Sequence, residues 1–333
     1  MTARTLVLGG DIGGTNTKLA LAAPGSGERF REKAVYASAD YETLEQAVEA
    51  FMRDAAVAPD AIGAACFAVA GPVEHGRATL TNLAWRPDES TLARHFGFPR
   101  VSIINDFAAA GLGIAELAPG DLLPLQEGSV DPEGSRVIVG AGTGLGVALL
   151  EWDSTYYEVH ASEAGHADFA PNDAQQDELL VHLRRDYRHV SYERVLSGRG
   201  ICRVLSFLEA NGAGAPSAAL RDALTRGDPA KAITDFALRG ADALAVRALD
   251  VFVSAYGSFA GNMALTMLAH GGVYIAGGIA PKIAPKLADG TFMRAFVSKG
   301  RFRSLLESVP VHVVMNDQVG LLGALSAATR LAG

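Results

Sequence analysis

Two stretches of this chain share one design. "GGDIGGTNTKLAL", Gly9 to Leu21, and "GAGTGLGVALLE", Gly140 to Glu151, each place a glycine-rich turn holding a threonine before an apolar strand, and an apolar strand also leads into each. Such a turn lets backbone N–H groups approach a phosphate closely. Its repetition predicts a duplicated α/β unit, with two glycine turns facing each other across a cleft. Asp11, in the middle of the first turn, adds a condition. A carboxylate repels a phosphate unless a cation stands between them, so the first turn predicts a nucleotide together with a divalent metal.

Spacing excludes two common phosphate loops. Gly9 to Gly14 keeps the glycine spacing of G-x-x-x-x-G-K-[ST], but Thr15 occupies the lysine position. A dinucleotide fingerprint needs G-x-G-x-x-G ahead of a helix. "GAGTGLG" has a different spacing and leads into a strand.

The rest of the chain reads as α/β. Leu6–Leu8 and Thr17–Ala22 are predicted strands, and "YETLEQAVEAFMRDAA" sets Leu44, Val48, Phe51 and Ala55 at helical spacing. "AIGAACFAVAGPV" reads as a buried strand ending in a Gly-Pro turn. A further strand, Val101 to Ile104, stops at Asn105-Asp106 and becomes a small-residue helix. In the second half, "DAQQDELLVHLRRDY", "GICRVLSFLEANG" and "DPAKAITDFALRGADAL" read as helices. "GGVYIAGGIAPKI" reads as a strand running through two glycines into a helix. "VPVHVVMNDQVGLLGALSAATRLA" reads as a strand, an Asp317 cap and a final helix that packs back on the N-terminal domain. The predicted boundaries are a small α/β domain of 1–117 plus 312–333 and a large one of 118–311.

Composition narrows the functional classes. At 333 residues and 49% hydrophobic, the chain can bury two cores. Its net charge of −8, without a basic run, speaks against nucleic acid as a partner. Cys66 and Cys202 match no metal or redox spacing and read as free thiols in a reducing compartment. "TLVLGG" leads straight into a strand without the features of an export signal, so a cytoplasmic location is expected. One segment has the length of a membrane span: Val251 to Ala269 carries no charge and contains Gly257-x-x-x-Gly261. Ser254, Ser258, Asn262 and Thr266 dilute it, and Arg247 and Asp250 share its helix. It is read as a buried central helix, with no membrane involved.

The pattern strand, D-x-G-G-T, strand resembles the superfamily of sugar kinases, heat-shock chaperone ATPases and actin. Further blocks extend the likeness over nearly the full length: "AGPV", "TNLAW", "IINDFAA", "GAGTGLGVA", "EAGHADFAP", "HVSYERVLSGRGI", "GNMALTMLAHGGVYIAGGIAP" and "VGLLGA". In this order they are similar to the bacterial-type glucokinase family. The related ROK sugar kinases and repressors add a cysteine-rich zinc motif that is missing from this sequence. The resemblance implies a two-domain, ribonuclease-H-like (actin-like ATPase) fold with an interdomain cleft closing over its substrates. It also implies ATP- and Mg²⁺-dependent phosphorylation of glucose at the 6-hydroxyl, the first step of glycolysis, by a homodimer.

Site residues follow from the same likeness. Gly10, Asp11, Ile12, Gly13, Gly14, Thr15 and Asn16 would surround the ATP phosphates, with Asp11 facing Mg²⁺ through water, since that ion retains several waters. Gly142 and Thr143 would meet phosphate, Gly144 the sugar, and Gly277 and Gly278 the adenosine. Structural alternatives stand beside each: an Asp11 that satisfies backbone amides, a hairpin needing positive φ, and a plain strand-to-helix turn at "AGGIAP". Asp106 ends an apolar strand, where ligands gather in open α/β sheets. It would take the proton of the attacking sugar hydroxyl, while Asn105 binds a neighbouring hydroxyl. The alternative there is an Asn-Asp helix cap, and both roles are compatible. Glu163, His166 and Glu193 are assigned to the sugar, whose hydroxyls both donate and accept. Without the likeness Glu163 and Glu193 would read as surface acids, and His166 equally as a structural histidine or as a ligand. The rival functions are a kinase for another hexose or N-acetylhexosamine, a sugar-sensing repressor, and an ATPase that needs no sugar. A repressor would require a helix-turn-helix and a basic face, and the Glu163, His166 and Glu193 set argues against the ATPase.

Overall fold

The computed structural model describes residues 5–80 and 83–333, so Thr81 and Asn82 of the "TNLAW" block lie outside the described residues. It divides into two compact units, Met1–Pro119 with Asn316–Gly333, and Gly120–Met315.

In the first unit β1 (Leu6–Ile12) and β2 (Asn16–Ala22) form the antiparallel hairpin around the glycine turn, and β3 (Glu32–Ala37) extends it. Helix α1 (Leu44–Asp54) starts at Thr43, whose side chain accepts from the Gln46 N–H. Strand β4 (Ile62–Val69) then runs parallel to β1. A two-strand ribbon of β5 (Val73–Glu74) and β6 (Arg77–Ala78) and helix α2 (Glu89–Phe96) precede β7 (Val101–Asn105) and α3 (Asp106–Gly113). The strand order is β3-β2-β1-β4-β7. β4 is buried from Ala64 to Val69, as an unbroken apolar run requires of a central strand. Ile12 pairs with Val69 and Val69 with Asn105, so three parallel strands end level at one edge of this sheet. That edge, at the carboxyl ends of the strands, is where open α/β sheets bind ligands.

The second unit repeats the plan. Its strands are β8 (Leu122–Gln126), β9 (Arg136–Ala141), β10 (Leu145–Trp152) and β11 (Tyr157–Ser162), followed later by β12 (Gly272–Ala276) and β13 (Val311–Val314). Between them come α4 (Ala174–Leu183), α5 (Gly198–Ala210), α6 (Ala218–Arg226), α7 (Pro229–Leu238) and α8 (Ala243–Met267). The short helices α9 (Ala284–Leu287), α10 (Thr291–Phe296) and α11 (Arg303–Ser308) join β12 to β13. The strand order is β11-β10-β9-β12-β13-β8. The β9–β10 hairpin with parallel β12 beside it matches the β1–β2 hairpin with parallel β4 beside it. The duplication read from the glycine turns is therefore a duplication of topology. β13 pairs with β12 and β8, although the expected boundary counts residues from 312 with the first domain.

Two local expectations are corrected. "DPAKAITDFALRGADAL" is two helices, because Gly240 adopts a positive φ of 62° and Asp242 caps α8 by accepting from Ala245 N–H at 2.9 Å. Asp317 does not cap the final helix, α12 (Val319–Ala332). Asn316 Oδ1 accepts the Gln318 N–H at 2.9 Å, while Asp317 turns to the ammonium of Lys18.

α8 resolves the question of the uncharged segment. It passes for a membrane span by length and composition, yet 72% of its most apolar window is buried within the protein. Each diluting polar side chain has a bond: Ser254 with Gln176, Ser258 with Lys299, Asn262 with Tyr192, and Thr266 with the Asn262 carbonyl. Gly257 and Gly261 let α10 pack close, since a Cβ there would meet the carbonyl oxygens of Phe292 and Phe296 at 2.1 and 2.5 Å. α12 uses the same device in the first unit, where a Cβ on Gly323 would lie 1.7 Å from the Ala109 carbonyl oxygen of α3.

Candidate active site

The first glycine turn is braced from beneath. Gly13 N–H donates to the Asn16 carbonyl at 2.9 Å, and Ser38 N–H donates to the Thr15 carbonyl at 2.9 Å. The buried Ser38 hydroxyl donates to the Gly13 carbonyl at 2.9 Å and lies 3.0 Å from Thr17 Oγ1. Fully paired buried hydroxyls of this kind hold a turn in one shape. Gly13, Gly14, Thr15 and Asn16 reach the surface, whereas Gly10 and Ile12 are buried. A Cβ on Gly10 would lie 2.7 Å from Phe67 Cδ1, so this glycine is required by packing, and Ile12 is a core residue.

Asp11 faces Lys18 directly across the hairpin, with Lys18 Nζ 3.8 Å from its Oδ2. The same ammonium donates to the Asp317 carbonyl at 2.7 Å and lies 3.6 Å from Asp317 Oδ2. Gly320 of "VGLLGA" borders the Asp11 carboxyl, with room for only ordinary contact at 3.4 Å. Burial pushes the Asp11 carboxyl above the ordinary carboxylate range; Lys18 opposes the shift and Asp317 adds to it. Such a carboxylate is short of positive charge. Among the described residues no group of three or more His, Cys, Asp or Glu is placed to hold a metal. A single hard oxygen donor suits a Mg²⁺ that brings its remaining oxygens from phosphate and water, so Asp11 fits the ion expected there.

At the end of β7, Asn105 and Asp106 begin α3. Asn105 Oδ1 accepts from Phe107 N–H at 2.9 Å and Ala108 N–H at 3.2 Å, and its Nδ2 donates to the Gly71 carbonyl at 3.3 Å. Asp106 Oδ1 also accepts from Phe107 N–H, at 2.9 Å. The cap reading is thus true of Asn105, whose side-chain oxygen is committed to the helix. Gly71 sits at φ 149°, where a Cβ would meet the Thr79 carbonyl at 2.7 Å, so "AGPV" serves to present a backbone acceptor to Asn105.

In the second unit the glycine turn after β9 gathers the sugar candidates. Gly142 N–H donates to the Gly144 carbonyl at 2.8 Å, and Leu145 N–H donates to Glu193 Oε2 at 3.1 Å. Glu193 lies in a single helical turn, Tyr192–Arg194, fastened by the Ser197 hydroxyl donating to its carbonyl at 2.8 Å. His166 ends another such turn, Ala164–His166, and its Nε2 lies 3.8 Å from Glu193 Oε2 and 3.9 Å from Glu163 Oε2. These distances are too long for direct hydrogen bonds. Gly144, Glu163, His166 and Glu193 therefore converge with hydrogen-bonding capacity left for a ligand's hydroxyls.

Gly142 and Thr143 of the same turn also line a cavity of about 780 Å³, together with Gly278, Arg199, Lys231 and Lys282 and without Glu163, His166 or Glu193. That volume lies within the usual range of small-molecule sites. Gly277 does not line it; a Cβ there would lie 2.5 Å from the Ala141 carbonyl, so this glycine lets β12 leave the sheet beside β9. Gly278 has open space at its Cβ position. Lys18, Ser38, Arg199 and Lys282 were absent from the sequence expectations. Only Lys18 carried a readable signal, as the hairpin register sets it opposite Asp11.

A family model described as Glucokinase matches residues 8–331. A glucokinase from a Nostoc species is 43% identical over 342 aligned positions, covering 98% of this chain and 100% of its own. Among solved structures, a glucokinase from an Antarctic psychrotroph superposes with a TM-score of 0.85 at 31% identity, over 98% of this chain and 99% of its own. A ROK family glucokinase from Streptomyces griseus, in complex with glucose and AMPPNP, shares the fold at a TM-score of 0.63 and 22% identity, over 98% and 99% of the two chains. The likeness thus spans both units and their glycine turns, and the chain belongs to the glucokinase family.

Proposed function

We propose that this chain transfers the γ-phosphoryl group of Mg-ATP to the 6-hydroxyl of glucose, releasing glucose 6-phosphate and ADP. The observation that carries the reading is the convergence of Gly144, Glu163, His166 and Glu193 beside a glycine turn whose Gly142 and Thr143 line a cavity of a size for a small molecule. Family membership supports both substrates, and the Streptomyces griseus neighbour binds glucose and an ATP analogue.

Each residue then has a task. Glu163 and Glu193 accept hydrogen bonds from sugar hydroxyls, and the His166 imidazole donates or accepts beside them. Asp106 takes the proton of the 6-hydroxyl as its oxygen bonds to the γ-phosphorus and the bond to the ADP oxygen breaks. Phosphoryl transfer otherwise asks for alignment and charge neutralisation. Gly13, Gly14, Thr15, Asn16 and Thr143 supply donors to the phosphates, and Arg199 and Lys282 add positive charge in the cavity. Asp11 would hold Mg²⁺ through water, and the bound ion would neutralise phosphate charge. Asn105 anchors the strand end, and the second N–H of its amide, beyond the one given to Gly71, donates to a neighbouring hydroxyl.

The test is ADP release from Mg-ATP with glucose, without sugar, and with mannose, fructose or N-acetylglucosamine. Glucose-dependent release exceeding that with the other sugars is expected. Release without sugar would make the protein an ATPase and remove the sugar assignments. The family likeness also supports a cytoplasmic homodimer, which light scattering on the purified protein checks for its mass.

A further inference from the structure

Tyr192 and Asn262 touch no substrate in the reading above, yet they join the segments that do. Tyr192 immediately precedes Glu193, and its N–H donates at 3.0 Å to the carbonyl of Ala167, the residue after His166. Phe169 N–H donates to the Val190 carbonyl at 2.9 Å, and Asp168 pairs with Ser191 as an isolated antiparallel bridge. The His166 and Glu193 segments thus run as one short ladder with Tyr192 inside it. Its carbonyl accepts from Val195 and Leu196 N–H, at 2.9 and 2.7 Å, closing the turn that presents Glu193.

The side chain fastens this ladder to α8. The Tyr192 ring is 4% exposed, edge-on to Phe169 with centroids 5.6 Å apart and tilted on Phe259 of α8 at 4.3 Å. At its tip Asn262 Nδ2, also from α8, donates to the phenol oxygen at 2.8 Å. Ring packing alone tolerates sliding in the plane of the ring, whereas a directional bond at the tip fixes its depth. Asparagine is a poor choice for a helix interior, and burying its amide is unfavourable without a partner.

We infer that the Asn262–Tyr192 hydrogen bond positions Glu193 and His166 for glucose; the inference rests on the sugar reading above. Both are positioning residues. The bond acts on the bound sugar and not on the nucleotide cavity, so its loss separates the two substrates.

The experiment combines steady-state kinetics with calorimetric titration of glucose into the nucleotide-free protein. Tyr192→Phe keeps the ring and removes the hydroxyl. It is expected to raise the glucose KM and Kd about three- to tenfold, the usual worth of one hydrogen bond, with the ATP KM unchanged within about twofold. Asn262→Leu, which leaves the Ala170 backbone bond to the phenol in place, should raise the glucose KM in the same direction but by no more than Tyr192→Phe. The double variant should add nothing beyond Tyr192→Phe, and Asn262→Asp, which accepts from the phenol, should restore the glucose KM. A Tyr192→Phe protein with unchanged glucose KM and Kd, or with both substrates weakened alike, would overturn the inference and leave the sugar reading standing. A wild-type protein that takes up no glucose in the calorimeter would overturn the sugar reading and the inference with it.

Discussion

Gly144 and Glu193 are matched to within the size of a methyl group. A Cβ at residue 144 would lie 2.6 Å from Glu193 Oε2, and that same oxygen accepts the Leu145 N–H at 3.1 Å. The glycine turn is folded around the carboxylate. Gly144→Ala must drive the Glu193 side chain away from the turn, which breaks the Leu145 bond and displaces the acceptor proposed for the sugar. The expected result is a glucose KM raised at least about tenfold, as a misplaced acceptor loses the worth of more than one hydrogen bond. The ATP KM should change less, and kinetics with each substrate varied in turn will show the split.

Asp106 offers a cleaner separation of binding from chemistry. Its Oδ1 accepts from Phe107 N–H, a bond that an asparagine side-chain oxygen reproduces, so Asp106→Asn preserves the start of α3. What it removes is the ability to take a proton. Glucose binding should stay within about tenfold of wild type while kcat falls by at least about 10²-fold, the ordinary contribution of a general base. Near-normal turnover, measured as ADP release under saturating substrates, would exclude Asp106 as the base.

Much of this arrangement is legible in the sequence because it is local. Both hairpins declare themselves by an apolar strand, a glycine turn and a second strand, and the Asn105 cap and the Asp106 position follow from where one apolar run stops. The break between α7 and α8 is missed by the helical reading of that stretch, although Gly240 and Asp242 are ordinary stop and start signals. What escaped depends on distant partners. Ser38 braces the turn from 25 residues beyond Gly13, and nothing near Ser38 hints at it. Asn262 reads as a residue diluting an apolar helix until Tyr192, 70 residues away, supplies its partner. Whether Val311–Val314 joins one sheet or the other is decided by its pairing with β12 and β8.

The proposed cation partner of Asp11 and the burial of its carboxyl make one prediction for the protein without nucleotide and another for the loaded enzyme. Its carboxyl is pushed up by burial, and its cationic neighbour Lys18 is shared with Asp317. Removing the charge should therefore cost the fold nothing. Asp11→Asn is expected to melt at or above the wild-type temperature in the absence of nucleotide and magnesium. Its turnover with Mg-ATP should fall by at least about 10²-fold, since one preorganised charge at a transferring phosphoryl group is worth that much. If melting temperature and turnover fell together, the carboxylate would be a structural element of the hairpin.

Two glycines of similar appearance should respond in opposite ways. A Cβ on Gly323 would stand 1.7 Å from the Ala109 carbonyl oxygen, so Gly323→Ala must force α12 away from α3. Overpacking of this kind costs typically about 1–3 kcal/mol, and about 2–4 °C of melting temperature per kcal/mol in a domain of this size. Because α3 begins at Asp106, the displacement reaches the residue proposed as the base, and kcat should fall more than glucose binding weakens. Gly278, with nothing within 4 Å of its Cβ position, faces the cavity instead. Gly278→Ala should keep the wild-type melting temperature and raise the ATP KM, because the added methyl occupies space that the proposed function assigns to the nucleotide. A scan of melting temperature beside both KM values tests the pair together: a Gly278→Ala protein with unaltered ATP KM would remove that side of the cavity from nucleotide binding.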